Sequence, residues 1–380
     1  MTEIYFIRHA ESYGNLTRRA YGWYDGMLSP KGYKQTECLA ERFKNEKLDA
    51  VYSSDLTRAC ETAKAIYEEK GLSLKTDKGF REVGIGVWEN MPWGAIPGKY
   101  PGQYVAWTEN PLEFDVESGE TYNTVYKRAK AALDRAVSEN EGKRIAIVSH
   151  GATLRLLMYG ISHGGELCGV EKEDWGDNTC VSLFHFDSGE YREVYRNDNS
   201  HLCSMPDYKD NMNWVREGTG RNLWFECAKY PEDKEKIRYY HREAWLAIFD
   251  DEPQSDRAVD AKAKRVLKQS PDNIAFGYCP AGEVGMIELD EDVYVFPQAG
   301  HISVLFLKSE FRRMRYGIQL IGYAMSKYYA MGKKHLSVRV AETNTAAYAF
   351  YKKYGFYEVF RETEGNYRQI VMILDIDKKG

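Results

Sequence analysis

The chain has 380 residues, of which 43% are hydrophobic and 29% charged, a composition typical of globular proteins and a length that predicts two domains. The formal net charge of −5 provides no broad basic surface, so nucleic acid is not an expected partner. No apolar run reaches the length of a membrane span, and the 7 cysteines are scattered without a CxxC pair, which argues against a disulfide framework or a zinc site. These features predict a protein of the reducing cytoplasm with no membrane partner, and they leave the oligomeric state open.

The first half of the chain alternates strand and helix patterns. Strands are predicted, in chain order, at residues 4–7, 50–53, 144–149, 181–186 and 191–195. Helices are predicted at residues 29–43, 57–67, 120–137 and 151–159. The segment RIAIVS at 144–149 is almost continuously apolar, which is typical of a parallel strand buried on both faces. The pattern predicts an α/β domain over residues 1–202.

The pattern breaks after Leu202, where residues 203–221 are polar and non-periodic and predict a linker. A second domain is predicted over residues 222–377. Its strands are predicted at residues 223–227, 274–278, 284–289, 302–307, 336–340, 357–361 and 369–374. Its helices are predicted at residues 233–249, 256–267, 314–330 and 345–354.

Charged and imidazole side chains follow the predicted strands of the first domain. The strand ends are followed by Arg8, His9, Arg58 and His150, while Glu82 lies in a glycine-containing loop. Because ligands of α/β folds bind at the carboxyl ends of strands, these side chains are expected to converge on one crevice.

These residue types suit phosphoryl chemistry. Arginine forks grip phosphate oxygens in pairs, and cationic surroundings lower the pKa of His9, so that a neutral imidazole is available near neutral pH. His9 could then attack phosphorus and form a phosphohistidine, with Arg8, Arg58 and His150 stabilising the charge on the transferred group. Glu82 could protonate the leaving oxygen and later take a proton from water. None of these steps requires a metal.

Six ordered motifs resemble those of the histidine phosphatase superfamily, which has the phosphoglycerate mutase-like three-layer α/β/α fold. They are RHAES..N, SSDLTRA..TA, EVGIGVWE, SGETY, VSHG and ND..HL, spread over residues 8–202. The resemblance implies His9 as the nucleophile, Glu82 as the acid and base, and a phosphate pocket that includes the catalytic His150. Arg8 and Arg58 would hold the phosphate, and Asn15 matches a position that often faces it.

Two local features refine the resemblance. The family usually has glycine where this chain has Ala10, a change that matters only if the position needs a positive φ. The segment REVGIGVWEN at 81–90 resembles the phosphatase branch more than the mutase branch, which carries a longer tyrosine-containing segment there. Hydrolysis of a small phosphorylated metabolite is therefore favoured, and mutase-type phosphoryl transfer is the alternative.

A second set of motifs lies in the second domain. A basic turn joins an apolar strand to a helix, and helix N-termini are natural anion sites. The turn and the later segment NTAAYAFYKKYGF (344–356) together resemble GNAT acetyltransferases, which have an α+β fold, over about residues 223–377. Arg312 and Gly317 match the turn that cradles the coenzyme A pyrophosphate. Arg315 replaces its middle glycine, and could either block the backbone or add positive charge.

The GNAT resemblance implies acetyl-CoA as the acyl donor, with direct transfer to an amine. Asn344 would contact coenzyme A and Tyr351 would protonate its departing thiolate. Glu288 is a possible base, although a surface carboxylate is the preferred interpretation of that residue. The sequence thus predicts a bifunctional phosphatase and N-acetyltransferase, with a phosphatase carrying a coenzyme-sensing module as the alternative. The amine acceptor is not specified.

Overall fold

The computed structural model describes residues 1–205, 222–249, 252–364 and 367–377. The chain divides into two compact units, one formed mainly by residues before 206 and the other mainly by residues after 221. Most of the predicted linker, residues 206–221, lies outside the described part of the chain. None of the described helices is long and apolar enough to cross a membrane.

A six-stranded sheet forms the centre of the first unit. Its strands are β1 (Thr2–Arg8), β2 (Ala50–Ser53), β3 (Leu74–Thr76), β4 (Arg144–Ser149), β5 (Val181–Asp187) and β6 (Glu190–Asp198). The spatial order is β3-β2-β4-β1-β5-β6, in which β1 to β4 are parallel and the β5–β6 hairpin is antiparallel. The apolar β4 lies between β2 and β1 and is buried from its second residue onward, as its composition predicts.

Helices cover both faces of this sheet. They are α1 (Tyr13–Thr17), α2 (Pro30–Phe43), α3 (Thr57–Tyr67), α4 (Ile96–Lys99), α5 (Pro101–Glu109), α6 (Tyr122–Ser138) and α7 (Gly151–Ser162). Leu39 of α2 and Ile66 of α3 are buried in one core, and Leu133 of α6 and Leu157 of α7 are buried in the other. Full burial of each such side chain contributes roughly 1.5–3 kcal/mol. The expected three-layer α/β/α architecture is confirmed.

The second unit is built on a seven-stranded mixed sheet. Its strands are β7 (Trp224–Cys227), β8 (Ile274–Cys279), β9 (Gly282–Asp290), β10 (Ala299–Leu307), β11 (His335–Ala341), β12 (Tyr357–Glu364) and β13 (Tyr367–Asp375). The order is β12-β13-β11-β10-β9-β8-β7, and only the β10–β11 pair is parallel among these strands. A mixed sheet of this kind fits the GNAT fold, as expected.

Four helices accompany the second sheet. They are α8 (Lys234–Leu246), α9 (Asp256–Gln269), α10 (Tyr316–Ala330) and α11 (Thr345–Lys353). Tyr240 of α8 and Val266 of α9 share a buried core with Phe276 of β8 and Met286 of β9. This packing explains why both helices carry apolar residues at helical spacing.

The parallel strands β10 and β11 separate part-way along their length. They pair only from Ala299 opposite His335 to Ile302 opposite Val338, and the register of β10 against β9 shifts between Ile302 and Val304. Beyond that point a cavity of about 450 Å³ is lined by both strands and by α8, α9 and α11. The strand separation therefore positions the candidate site of the second unit.

The secondary structure differs from the sequence predictions in a few places. The helix predicted at 314–330 begins at Tyr316, because Arg313 and Arg315 both have a φ of 64°, a left-handed conformation that cannot continue a right-handed helix. Helix α8 ends at Leu246 instead of residue 249. Helices α4 and α5 were not predicted, and α5 contributes no buried side chain that would give it a clear apolar stripe.

Candidate functional sites

The register of the first sheet places the two predicted histidines side by side. Strands β1 and β4 are adjacent and parallel, and Arg8 pairs with Ser149. His9 and His150 follow these residues directly, and their ring centroids are 5.1 Å apart at an interplanar angle of 56°. The amide of His9 also donates to the carbonyl of Ser149 at 2.9 Å. Strand pairing therefore places the backbones of the two histidines side by side, and the contact of His9 Nδ1 with the Ala10 carbonyl orients its ring.

The predicted arginines lie in the same pocket. Arg58, at the start of α3, is almost completely buried and donates to the carbonyls of Tyr24 (2.9 Å) and Gly22 (2.8 Å). Arg8 is buried too and donates through Nη1 to the carbonyl of Gly176. The charges of both arginines act on His9. The structure thus brings together two guanidinium groups and two imidazoles at the carboxyl ends of the strands.

His9 is held neutral by its surroundings. Burial, followed by the charges of Arg58 and Arg8, holds the pKa of His9 well below its ordinary value. Its Nδ1 lies 2.7 Å from the carbonyl oxygen of Ala10, which can only accept a hydrogen bond. The proton of the neutral ring is therefore on Nδ1, and Nε2 carries the lone pair.

His150 has no hydrogen-bond partner on either ring nitrogen within the described part of the chain. The residue is completely buried, and burial, followed by the charge of Arg58, holds the pKa of His150 well below its ordinary value. The Nε atom of Arg8 is likewise buried and unpartnered among the described residues. Buried polar groups are nearly always satisfied in folded proteins, so these atoms mark a position for a polar ligand.

Glu82 lies at the N-terminus of α7, which begins directly after His150. Its carboxylate accepts from the amides of Ala152 (3.3 Å) and Thr153 (3.1 Å) and from the Thr153 hydroxyl (3.2 Å). Two of the amides that any helix leaves unsatisfied at its start are thereby paired. This contact brings Glu82 to the histidine pair, as the strand-end argument expected, although the helix cap itself was not predicted.

Sequence reasoning missed a clamp that holds the backbone of the Glu82 loop. Arg128 of α6 donates to the carbonyls of Arg81 and Glu82 at 2.8 Å each. Its Nε and Nη2 atoms also donate to the two carboxylate oxygens of Glu120, at 2.8 Å each. Glu120 in turn accepts from the amide of Gly84 at 2.8 Å. The only signal in the sequence was Glu120 within the SGETY motif, and nothing there indicated its partner.

Asn15 is linked to His9 through a residue that the sequence analysis did not select. Its Oδ1 accepts from the amide and hydroxyl of Ser12 at 3.0 Å and from Nδ2 of Asn178 at 3.4 Å. Asn178 also donates to the carbonyl of His9 at 2.8 Å. In this arrangement Asn15 and Asn178 fix the chain around the histidine.

Ala10 fits its position without strain. It is fully buried, its φ is not positive, and its amide donates to Thr62 Oγ1 at 2.9 Å. The position therefore does not demand glycine, and the departure from the family pattern is accommodated.

The basic turn of the second unit has the left-handed backbone conformation that glycine adopts most readily. Arg315 occupies the N-cap position of α10 with φ 64° and ψ 17°, which is the left-handed region. Arg312 and Arg315 are exposed, and Arg312 Nε donates to the carbonyl of Leu307 at 3.1 Å. Gly317 is buried on the first turn of α10, where a Cβ would lie 3.0 Å from the Phe350 ring. Gly317 therefore permits close packing between α10 and α11.

Asn344 and Tyr351 both line the cavity of the second unit. Asn344 caps α11, since its Oδ1 accepts from the amide of Ala347 at 3.0 Å. The Tyr351 hydroxyl makes no hydrogen bond with any described residue, and burial raises the pKa of Tyr351, so the group stays protonated at neutral pH. Arg312 and Gly317 are not among the residues lining this cavity.

The interpretation of Glu288 as a surface carboxylate is wrong. The residue is completely buried, and its carboxylate lies 2.8 Å from His241 Nε2 and 2.8 Å from Lys262 Nζ. Burial alone would raise the pKa of Glu288, but the hydrogen bond from His241 and the charge of Lys262 lower it overall. Helices α8 and α9 supply these partners, and a strand pattern cannot reveal them.

The residues of the basic turn fit the diphosphate of coenzyme A. The left-handed Arg313 and Arg315 keep the backbone of a glycine-rich loop, and α10 begins at the next residue. Arg312, Arg313 and Arg315 are exposed guanidinium groups at this helix N-terminus, a donor set that suits phosphate oxygens. The replaced glycine therefore does not remove the loop conformation.

The fold and pocket of the first unit are those of the histidine phosphatase class. Residues 4–199 match the model of the histidine phosphatase superfamily (branch 1), and the chain belongs to this superfamily. Residues 221–356 match the model of the acetyltransferase (GNAT) family. The fusion of the two kinds of domain is thereby supported.

Individual relatives resemble about half of the chain. Phosphoserine phosphatase 1 of Hydrogenobacter thermophilus is 32% identical over 190 residues, which cover 49% of this chain and 88% of that protein. Phosphoglycerate mutase-like protein 4 of Arabidopsis thaliana is 34% identical over 204 residues, covering 53% and 86%. The solved structure of Bacillus stearothermophilus YhfR covers 53% of this chain and 100% of its own, with a TM-score of 0.52 and 29% identity.

Proposed function

We propose that residues 1–202 form a metal-independent phosphatase of a small phosphorylated metabolite, acting through a phosphohistidine. The observation that carries this proposal is the buried His9–His150 pair, 5.1 Å apart and surrounded by two arginines. A neutral imidazole beside cationic groups is the arrangement that nucleophilic attack on a phosphate monoester requires. Family membership supports the same chemistry.

The first half of the reaction moves the phosphoryl group to the protein. The Nε2 lone pair of His9 attacks phosphorus, the bond to the leaving oxygen breaks, and protonated Glu82 gives its proton to that oxygen. Arg8, Arg58 and His150 face the phosphoryl oxygens and stabilise their charge. His9 needs no prior proton loss at Nε2, because its proton is held on Nδ1 by the Ala10 carbonyl.

The second half releases inorganic phosphate. Ionised Glu82 takes a proton from water, whose oxygen attacks phosphorus as the bond to His9 breaks. Glu82 is then protonated again and His9 recovers its lone pair, so the cycle closes. In this scheme the arginines supply the positive charge that a metal ion provides in other phosphatases.

Substitution of the nucleophile tests this proposal. His9→Ala should abolish hydrolysis of an aryl phosphate without unfolding the protein, as monitored by circular dichroism. His185→Ala is the matched control, since His185 lies on β5 outside the pocket and should be replaceable without loss of activity. Full activity of His9→Ala would exclude His9 as the nucleophile. Label retained within an organic product, instead of released phosphate, would favour the mutase alternative.

We further propose that residues 222–377 form an acetyl-CoA-dependent N-acetyltransferase. Arg312, Arg315 and the start of α10 would bind the coenzyme A diphosphate, and Asn344 would contact the coenzyme near the cavity. When bound, acetyl-CoA supplies an activated acetyl thioester. Tyr351, whose hydroxyl is protonated and lines the cavity, would give its proton to the departing sulfur. The GNAT match supports this assignment.

Calorimetric titration with acetyl-CoA tests the second activity. A dissociation constant near micromolar, or about −8 kcal/mol, is expected for the full chain. Tyr351→Phe should keep this affinity and lower turnover. Absence of binding at millimolar acetyl-CoA would contradict the assignment. Binding without turnover on any amine would favour the coenzyme-sensing alternative.

A further inference from the structure

One face of helix α8 lines the cavity of the second unit. Arg238, His241, Arg242 and Trp245 recur at the spacing of one helical face, and all four line the cavity. The cavity is also lined by β10 and β11 from the point at which they separate, and by Tyr351. The cavity therefore joins Tyr351 to a set of side chains that the proposed coenzyme chemistry does not use.

The lining carries an excess of positive charge. Among the described residues, the cavity is lined by Arg238, Arg242, Lys262 and Arg339, and by a single acidic residue, Asp256. Three of these cations have carboxylate partners: Arg238 pairs with Asp260, Lys262 with Glu288 and Arg339 with Glu362. Arg242 is exposed and makes no ion pair or hydrogen bond with any described residue. A guanidinium in this state is available to an anionic ligand.

His241 is oriented by the buried carboxylate behind it. Its Nε2 lies 2.8 Å from Glu288 Oε2, and a buried ionised carboxylate only accepts hydrogen bonds. The proton of the neutral ring is therefore on Nε2, and Nδ1 carries the lone pair. Within the described residues Nδ1 has no hydrogen-bond partner. This is the arrangement of a base whose tautomer is fixed by a carboxylate.

The remaining wall is aromatic and carries an unsatisfied donor. Trp245 and Phe249 line the cavity with their ring centroids 4.6 Å apart. Trp245 Nε1 is buried and lacks a partner among the described residues. A ligand with an apolar body and an acceptor group would satisfy both features.

From these observations we infer that the cavity binds a primary amine that also carries a carboxylate or phosphate group. Arg242 holds the anionic group and His241, positioned by Glu288, takes the proton of the amine. The inference rests on the proposed acetyltransferase function and specifies the class of its acceptor.

The proton balance of this step is complete. The ammonium group of the acceptor gives one proton to His241 Nδ1, and its nitrogen lone pair then bonds to the acetyl carbon as the carbon–sulfur bond breaks. Tyr351 protonates the sulfur and recovers a proton from the acylated nitrogen through solvent. His241 releases its proton to solvent, so one proton is liberated for each amide formed.

Matched pairs of probe amines test the charge preference. The pairs are L-phenylalanine with L-phenylalaninamide, and O-phosphoethanolamine with ethanolamine, which separate carboxylate from phosphate. His9→Ala protein is used so that the phosphate monoester is not consumed. Calorimetry with and without coenzyme A should show at least one anionic probe binding about tenfold more tightly than its neutral partner. Equal affinities within both pairs, or no binding, would overturn the inference.

Arg242→Ala should remove most of this tenfold preference. Lys268→Ala is the control, because it removes one positive charge from α9 at a residue that does not line the cavity. An unchanged preference in Arg242→Ala, or an equal loss in the control, would contradict the role of Arg242. If acetyl-CoA does not bind, the proposed function fails, yet the preference for anionic amines can still be measured.

The role of His241 has a spectroscopic test that does not depend on turnover. Nitrogen chemical shifts of the labelled ring should show that its neutral form carries the proton on Nε2, the nitrogen that faces Glu288. A dominant Nδ1-protonated tautomer would exclude the assignment. His241→Gln should lower kcat at least about tenfold while leaving the affinity for the anionic amine unchanged.

Discussion

Two buried histidines of the first unit are kept uncharged at neutral pH by their surroundings. His9 and His150 share the same causes, namely burial and the nearby charge of Arg58. A histidine that stays neutral when folded but binds a proton near pH 6.5 when unfolded destabilises the fold in acid. The neutral state on which the proposed role of His9 as nucleophile depends therefore has a measurable thermodynamic consequence.

The free energy of unfolding of the first unit should fall as the pH drops below 6.5. In that range the unfolded chain binds protons that the native pocket excludes, so each histidine contributes a slope of up to about 1.4 kcal/mol per pH unit. His150→Gln should reduce the slope between pH 6.5 and 5, measured by urea unfolding. Above pH 7.5 the ring is neutral in both states, so this change in slope should disappear there. Parallel curves across the whole range would contradict the prediction.

At the scale of single elements, strand order positions the two histidines, and loop contacts position Glu82. Strands β1 and β4 bring His9 and His150 together, whereas the Glu82 loop depends on hydrogen bonds from Arg128 of α6. Arg128 and its partner Glu120 have side-chain exposures of 19% and 13%, so the pair is largely shielded from water. Loss of Arg128 would leave Glu120 as a poorly solvated charge and would remove the hydrogen bonds from Arg128 to three backbone carbonyls. The carbonyls of Arg81 and Glu82 would keep their hydrogen bonds from Thr153 and Trp23.

Arg128→Met should destabilise the first unit by about 3 kcal/mol and also lower phosphatase turnover, because Glu82 loses its backbone support. Arg135→Met on the same helix is the control. Arg135 is 57% exposed and pairs with Asp77, so its loss should cost less than about 1 kcal/mol. Urea unfolding and aryl phosphate hydrolysis measure the two effects. A similar loss of unfolding free energy in both variants would show that the Arg128 contacts do not specifically stabilise the Glu82 loop.

The turn before α10 allows a test of the replaced glycine. Arg315 already has the left-handed backbone, which costs a non-glycine residue about 1 kcal/mol. Arg315→Gly should therefore be more stable than Arg315→Ala by about that amount, as measured by unfolding. Both variants should bind acetyl-CoA several-fold more weakly at low salt, because both lose the guanidinium. Tighter binding of either variant would show that the arginine blocks the coenzyme.

Elements with a strong periodic pattern were predictable, and contacts between distant segments were not. Helix α3 and strand β4 have the predicted bounds, because their apolar residues face a sheet or lie within one. Helix α5 escaped prediction because it has no buried stripe. The histidine pair could be predicted because both residues follow strand ends. The burial of Glu288 could not be predicted from the sequence of its own strand, because its partners come from α8 and α9.

For the whole molecule, the two proposed activities use separate residues. The phosphatase residues all belong to the first compact unit, and the residues around the second cavity all belong to the second. No residue takes part in both sets of proposed chemical steps. The full chain should therefore tolerate loss of either chemistry without loss of the other.

His9→Ala should leave acetyl-CoA affinity within about twofold of the unsubstituted protein, and Tyr351→Phe should leave aryl phosphate hydrolysis unchanged, since effects at sites that share no partners are additive. Each variant serves as the control for the other, because each must lose its own activity. Calorimetry and phosphate release measure the two results. Reciprocal losses would instead reveal energetic coupling between the units.

The ring nitrogens of His150 and the Nε atom of Arg8 have no hydrogen-bond partner among the described residues, and this has a kinetic consequence. In the proposed reaction these groups would recognise a tetrahedral anion by its oxygens, and the inorganic phosphate released after turnover presents the same oxygens as the substrate. Nothing in these contacts distinguishes an ester from the free anion. Product inhibition follows, competitive with substrate, so the rate of this protein would respond to the phosphate level of its surroundings as well as to the supply of its ester.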